Sequence, residues 1–470
     1  MPLPVITVEQ MREWEKATWA TGQTEAKVIR RVGLAVARLA VQLTRPSELI
    51  LILAGKGHNG DDARAAREHM PERRVDLLEV ADPAAGISKL EALLSLRPAL
   101  VVDGLFGIGI NRPLSPAWVG FINRINEARL KVLAVDVPSG LDASNGEPQG
   151  AAVQASVTLT VGAPKLGMLS AAAQDFVGRL EVTDDVGLVK RSFTTELHWT
   201  LRSDFDGFPP MRTVTGHKGS YGHLVILSGS IGYHGASVLA SRGAQRAQPG
   251  LVTLYTSESV YQVVAAQLQA VMVSPWRPGS ELPETCSAIL IGPGLAAADV
   301  PQQLKNMVVD LWRDYCGPVV VDASALAWLA AENTARPGLR VVTPHPGEAA
   351  RMLGTDSKHV QSDRLKALRE LSRRFSNTWV ILKGHETLIG KSEGEVYVNS
   401  SGNPHLAQGG SGDVLSGYLA GLMAQPALQK DPLTTLRYGV WQHGTAADNL
   451  QEERPNWVVE DLVLKLGQAA

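Results

Sequence analysis

Leu406-Ala407-Gln408-Gly409-Gly410-Ser411-Gly412-Asp413-Val414-Leu415-Ser416-Gly417 sets a serine and a carboxylate among glycines. An apolar-periodic segment begins inside it, at Val414, Leu415, Leu419 and Leu422. The pattern predicts a tight turn feeding a helix over 410–424. Backbone N–H groups at such a helix start have no partner in the helix, and residues without bulk let a phosphate approach them. An acid in the first turn is also a common local stabiliser, so Asp413 alone is open between cap and chemical group. Several glycine-flanked polar clusters upstream have no local structural need. Together they point to an enzyme acting on phosphorylated compounds.

Working outward, a helix over 434–450 follows, and a series of short apolar strands precedes: Leu224–Leu227, Leu251–Leu254, Ala288–Ile291, Val319–Val321, Leu339–Val342 and Trp379–Leu382. An earlier series, Leu49–Leu53, Leu100–Val102 and Val132–Val135, alternates with helical stretches near 61–70, 86–96 and 117–128, after a helical region over 11–43. Fully apolar strands alternating with helices predict parallel sheets covered on both faces, with ligands at the carboxyl ends of the strands. The pattern lapses between Leu201 and Arg212, a stretch rich in Asp, Gly and Pro that reads as a linker. The expected architecture is two tandem three-layer α/β/α domains, 1–205 and 206–470.

A chain of 470 residues exceeds one core, and 44% hydrophobic with 20% charged residues is a globular composition. A net charge of -2 gives no argument for a nucleic-acid or membrane partner. Cys286 and Cys316 are the whole cysteine content, too few for a disulfide scaffold or a thiolate zinc site. No basic segment followed by an apolar core opens the chain, and no apolar run reaches membrane-spanning length. A soluble cytoplasmic protein is expected.

In the first half, Gly55-Lys56-Gly57-His58-Asn59-Gly60-Asp61-Asp62-Ala63 follows the first strand. It is neither a dinucleotide fingerprint nor a P-loop, and its acids are open between helix caps and ligand contacts. The next strands deliver Asp103 into Gly104-Leu105-Phe106-Gly107-Ile108-Gly109, and Asp136 into Val137-Pro138-Ser139-Gly140. Sheet geometry brings Asn59, Asp103, Asp136 and Ser139 together as hard oxygen donors suited to a cation. Asp136, ending a buried strand, is the acid/base candidate.

These motifs, with Thr160 and Ala163-Pro164-Lys165, make residues 5–195 resemble the YjeF N-terminal domain, a Rossmann-like NAD(P)H-hydrate epimerase. The resemblance implies exchange of the R and S forms at C6 of hydrated NADH and NADPH (NADHX and NADPHX). His58, Asn59, Gly60, Asp61 and Asp62, with Gly107, Ile108 and Gly109, would cradle that substrate. Asp136 would contact it, and Asn59, Asp103 and Ser139 would hold K+. The family loop usually reads Gly-Pro-Gly-Asn-Asn-Gly-Gly-Asp-Gly; here Lys56, His58, Asp61 and Ala63 differ, and Ile29-Arg30-Arg31-Val32-Gly33 lacks a usual glutamate. Asp61 thereby adds charge beside a phosphate-binding loop.

In the second half, Thr343-Pro344-His345-Pro346-Gly347-Glu348 and Lys383-Gly384-His385-Glu386-Thr387 each follow a strand. His345 is open between a backbone-bonded histidine and a ligand contact, and the histidine spacings give no argument for zinc. Lys383 is open between a phosphate contact and a solvated lysine. With His217-Lys218-Gly219-x-Tyr221-Gly222, Gly235-Ala236, Gly292-Pro293-Gly294, Val321-Asp322-Ala323, Gly402-Asn403-Pro404 and the opening motif, residues 212–465 resemble the YjeF C-terminal domain, a ribokinase-like NAD(P)H-hydrate dehydratase. The resemblance implies ADP, or ATP, with Mg2+ across Lys383, Gly384, Thr387, Gly409, Gly410, Ser411 and Gly412. It implies substrate contacts at Ala236, Gly294, His345 and Asp413, with Asp413 as base. A homo-oligomer is expected of such folds. The alternatives are a small-alcohol or vitamin-precursor kinase of the same fold, or a first half that binds a ligand without turnover.

Overall fold

The computed structural model describes residues 2–190, 194–298, 300–331 and 336–468. The chain divides into two compact units that meet between Thr195 and Glu196, ten residues before the boundary placed from sequence. Just before the expected linker, Leu197–Trp199 pairs in parallel with Val396–Val398. The linker itself, 201–212, is partly structural: Phe205 is buried against Tyr438 and Trp441, and Asp204 is paired to Arg437. Low apolar density at 201–212 hid these long-range contacts.

The first unit begins with helices α1 (Val8–Ala20) and α2 (Glu25–Gln42). Then follow β1 (Leu49–Ala54), α3 (His58–Glu68), β2 (Arg74–Glu79), α4 (Pro83–Ser95), β3 (Leu100–Gly104), α5 (Pro116–Glu127), β4 (Val132–Val135), β5 (Val157–Val161) and β6 (Arg179–Thr183). Local chemistry explains the starts: a Thr7–Gln10 capping box for α1, and Asp82 and Ser115 caps followed by proline for α4 and α5. The strands pair in parallel in the order β2-β1-β3-β4-β5-β6. β1, β3, β4 and β5 are buried along their whole length, as strands covered on both faces must be.

The second unit carries β7 (Leu197–Trp199), β8 (His223–Leu227), α6 (His234–Arg246), β9 (Leu251–Thr256), β10 (Met272–Pro275), β11 (Ala288–Ile291), α7 (Gln302–Asp314), β12 (Val319–Val321) and β13 (Arg340–Val342). It continues with α8 (Pro346–Leu353), α9 (Arg364–Arg374), β14 (Trp379–Leu382), β15 (Leu388–Gly390), β16 (Val396–Val398), α10 (Ser411–Met423), α11 (Pro432–Glu453) and α12 (Val459–Lys465). These strands run β7-β16-β15-β14-β13-β12-β11-β8-β9-β10. Pairing is parallel from β14 through to β10, whereas β14-β15 and β15-β16 are antiparallel. The sequence reading expected parallel strands throughout. Only residues 383–387 join β14 to β15, too few for a crossover, so the chain turns back on itself.

Helix α10 is buried from Val414 to Met423, the state expected of a helix apolar on every side. It lies against α6 because glycine lets the backbones meet. A Cβ on Gly417 would stand 2.0 Å from the Ala240 carbonyl oxygen, and one on Gly421 would stand 2.7 Å from that of Ala244. Helix α6 was missing from the sequence reading, since its Gly, Ala, Ser and Arg content gives little apolar periodicity. Gly417→Val is expected to destabilise the second unit by about 3 kcal/mol through forced separation of the two helices. The measurement is a lower Tm for that unit's transition, with the first unit's transition unmoved.

Candidate active sites

In the first unit, β1, β3 and β4 end beside one another. The turn after β1 is packed against the strand ends: a Cβ on Gly55 would meet the Leu105 carbonyl at 2.1 Å, and one on Gly60 would meet that of Gly55 at 2.1 Å. Gly57 is the N-cap of α3 and has no side-chain capping bond. Asp61 and Asp62 therefore sit inside the first turns and cap nothing. Asp61 is instead paired to Arg64 at 2.7 Å, whose guanidinium also donates to Glu79 (3.2 Å) and to the Gly55 carbonyl (2.6 Å). His58 stands at the rim, 3.6 Å from Glu25.

Asn59 is buried and its Nδ2 donates to the Phe106 carbonyl at 2.7 Å. Its Oδ1 is buried with no hydrogen-bond donor. Asp103, fully buried, accepts from the Ser139 hydroxyl (2.6 Å), the Ser139 N–H (2.8 Å) and the Leu105 N–H (3.2 Å). Burial still raises its pKa to about 6 against those donors. Phe106 donates its N–H to the Ser139 hydroxyl at 2.8 Å, which closes the network around the Asn59 loop. A Cβ on Gly107 would lie 3.4 Å from that of Asn59, so the glycine loop passes over it, and Gly109 is exposed beyond.

Asp136 takes a left-handed backbone, φ +64°. Its Oδ1 accepts from Thr160 Oγ1 (3.2 Å), the Val161 N–H (3.0 Å) and Lys165 Nζ (2.5 Å). Lys165 is wholly buried and is further held by Thr160 Oγ1 and the Val161 carbonyl, each at 2.9 Å. Two further carboxyl groups feel this charge. The Asp62 pKa is pushed well up by burial and then by Asp136, Asp61 and Glu15, and that of Glu15 is raised by burial and by Asp136. The partnership with Lys165 escaped the sequence reading, although Ala163-Pro164-Lys165 was noted as a motif.

In the second unit, the residues after β12, β13 and β14 meet the start of α10. Gly410 is the N-cap, in a left-handed conformation (φ +98°) and without a capping side chain. The Ser411 hydroxyl turns back to donate to the Leu406 carbonyl at 2.7 Å. Lys383 Nζ lies 2.8 Å from Asp322 Oδ1 and 3.9 Å from Glu348 Oε2, and a Cβ on Gly412 would lie 3.4 Å from it. Burial opposes the ammonium, yet Asp322 and Glu348 raise its pKa. Asp413 stands in the same cluster. Burial, then the Asp322 charge, raise its carboxyl to about 7, with Lys383 opposing. Lys383 is thus no solvated lysine, and Asp413 makes no capping bond.

His345 is the N-cap of α8. Its Nδ1 accepts from the Gly347 N–H at 3.0 Å, while Glu348 returns the bond to the His345 N–H at 2.9 Å. The backbone-bonded reading of this ring is therefore realised at Nδ1, and Nε2 faces Glu348 Oε1 at 3.5 Å. The turn Lys383–Thr387 is braced from behind by Arg364, which donates to the Leu382 carbonyl (3.1 Å) and to those of His385 and Glu386. Gly384 has φ +139°, and the Thr387 hydroxyl donates to its carbonyl at 3.1 Å. Ala236 and Gly294 are neighbours: a Cβ on Gly294 would stand 2.9 Å from that of Ala236. Asp322, Glu348 and Arg364 carried no role in the sequence reading. The strand-end position of Asp322 was the available signal. Among the described residues no group of three His, Cys, Asp or Glu side chains is arranged to hold a metal.

A family model described as NAD(P)H-hydrate dehydratase matches residues 224–466, and one described as YjeF-related protein N-terminus matches 72–167. A bifunctional NAD(P)H-hydrate repair enzyme of Coxiella burnetii is 34% identical over 469 residues, covering 94% of each chain. One from Escherichia coli is 31% identical over 477 residues, covering 96% of this chain and 90% of that one. Among solved structures, a ribokinase-like superfamily protein of Enterococcus faecalis superposes with TM-score 0.51 at 23% identity, over 60% of this chain and 97% of its own. The two matched domains and relatives of matching length place the chain in the family of bifunctional NAD(P)H-hydrate repair enzymes.

Proposed function

We propose that the second unit dehydrates the S form of hydrated NADH and NADPH using ADP, or ATP, and that the first unit exchanges the R and S forms at C6. The observation that carries the reading is Asp413, a carboxyl with a pKa of about 7 beside the glycine-lined start of α10 and the Lys383 ammonium. Such a group is a base at neutral pH. In this reading Asp413 takes the proton from the C6 hydroxyl as that oxygen attacks the terminal phosphoryl group. The N–H groups of residues 409–412 receive the charge that develops on the transferred phosphoryl oxygens. Phosphate then leaves C6 with the C–O electron pair while the ring nitrogen donates its own pair, and transfer of the C5 proton to the departing phosphate restores the double bond. Lys383, Gly384 and Thr387 hold the nucleotide side, while Ala236, Gly294 and His345 hold the substrate. Magnesium would accompany the nucleotide phosphates and neutralise part of their charge, the usual mode for this ion.

For the first unit, Asp136 is the acid/base group, with the loop His58–Asp62 and Gly107–Gly109 around the substrate. Asn59, Asp103 and Ser139 fit potassium: the buried Asn59 Oδ1 has no hydrogen-bond donor, and its neighbours offer hard oxygens. The ion would supply positive charge beside a phosphate-bearing substrate. Asp61, foreign to the usual loop, has its charge offset by Arg64. We also read the chain as cytoplasmic, supported by two unpaired cysteines.

The deciding experiment incubates mixed R and S hydrates with ADP and magnesium and follows reduced cofactor. Full recovery is expected, whereas a plateau at the initial S fraction would leave only the second unit active. Asp413→Asn should slow dehydration by at least about 10³-fold while ADP binding is kept, since the donor amides remain. Because the ionised form of Asp413 is the base, wild-type kcat/KM should climb with pH through about 7 and then level. Asp136→Asn should slow R-to-S exchange about 100-fold or more and leave S-hydrate dehydration unchanged. Separate progress curves from the two pure epimers measure this.

A further inference from the structure

Helix α11 passes behind the glycine-rich start of α10, and three of its positions grip the site loops. Asp448 accepts from the Gly402 N–H with Oδ2 (2.8 Å) and from Asn403 Nδ2 with Oδ1 (2.9 Å). The Trp441 carbonyl accepts from the Ser401 hydroxyl at 2.8 Å. Ser401 comes so close because Gly444 has no side chain: a Cβ there would stand 2.3 Å from Ser401 Oγ. These bonds fix Ser401-Gly402-Asn403, the stretch that leads into the opening motif.

The remaining grip is His443. The ring is 6% exposed, and its Nε2 lies 3.0 Å from the Ser411 carbonyl oxygen. A carbonyl only accepts, so Nε2 carries the hydrogen and the tautomer is fixed. Burial, with the Lys383 charge in the same direction, lowers the pKa of the ring to about 4, so it stays neutral and keeps this bond across the physiological range. The Ser411 C=O and the Gly412 N–H belong to one peptide unit. In a trans peptide they point in opposite directions. A donor that draws the carbonyl back toward α11 therefore aims the Gly412 N–H at the anion side. It also polarises that N–H, because hydrogen bonds in series strengthen one another.

We propose that His443 is a positioning residue of the phosphoryl-transfer site, acting through the Ser411–Gly412 peptide to orient the Gly412 amide and, one residue on, the Asp413 carboxyl. The proposal rests on the dehydratase reading of the second unit. It adds to that reading a residue that touches neither nucleotide nor substrate.

The test uses the full chain with the S-hydrate, ADP and magnesium. Wild-type turnover comes first, since its absence would refute the dehydratase reading whatever His443 does. His443→Leu keeps bulk and removes the donor, while His443→Gln places an amide N–H near the position of Nε2. Removal of a catalytic donor costs about 10² to 10³ in rate. For this indirect contact the expected loss in kcat for His443→Leu is about 10- to 100-fold, with KM for ADP changed by no more than about 3-fold. His443→Gln should recover to within about 5-fold of wild type. Wild-type kcat in His443→Leu, or equal loss in the Leu and Gln variants, would overturn the proposal. Should the Leu variant not fold, Gln against the shorter Asn carries the same contrast: an active Gln with a slow Asn supports the role, and equal rates refute it.

Discussion

One buried ammonium among carboxyl groups organises the second unit's site. Lys383 follows β14, Asp322 follows β12, Glu348 sits in the first turn of α8 after β13, and Asp413 sits in the first turn of α10. A lone buried charge costs several kcal/mol, so Lys383 needs Asp322 at 2.8 Å. That pairing is possible only because β12, β13 and β14 are neighbours in register, which brings their ends to one crevice. The single cation cannot satisfy every acid nearby. The deficit falls on Asp413, whose proton is held more tightly than that of an exposed aspartate, and a helix end built from glycine leaves room beside it for phosphate.

The first unit answers the same problem differently. Asp136 receives its own buried lysine and two further donors, while burial and the Asp136 charge raise the pKa values of Asp62 and Glu15, in Glu15 against the opposing charges of Lys165, His58 and Arg12. Asp103 is satisfied by Ser139 from both side chain and backbone. Each unit thus pairs one buried lysine with one acid near its crevice and leaves neighbouring carboxyl groups with raised pKa values. Separating the protonation of neighbouring carboxyl groups is how a protein obtains acid and base chemistry at one pH.

Much of this was legible in the chain before any coordinates. Apolar strands running up to Gly55, Asp103 or Asp136 announced parallel sheets and their ligand edge, because burial on both faces leaves a continuous apolar run. The start of α10 was legible because glycine, serine and acid ahead of a periodic run have a local cause. What stayed hidden was pairing across sequence. Lys165 finds Asp136 from 29 residues away, Arg364 braces a turn 18 to 22 residues on, and Phe205 reaches Tyr438 from inside an apparent linker. No local pattern encodes such partners. The antiparallel return of β15 was hidden for a different reason: three-residue strands carry too little alternation to reveal direction.

The Asp61–Arg64 pair also bears on how such a loop changes over time. Donor and acceptor lie one helical turn apart, and the guanidinium reaches back to the Gly55 carbonyl at the loop's first residue. The same guanidinium serves Glu79, at the end of the edge strand β2, so the loop's extra charge is balanced jointly with the sheet edge. Loss of Arg64 would therefore strand two carboxylates at once, one in the loop and one on the strand, and a change at Asp61 is felt at Glu79 through their common partner.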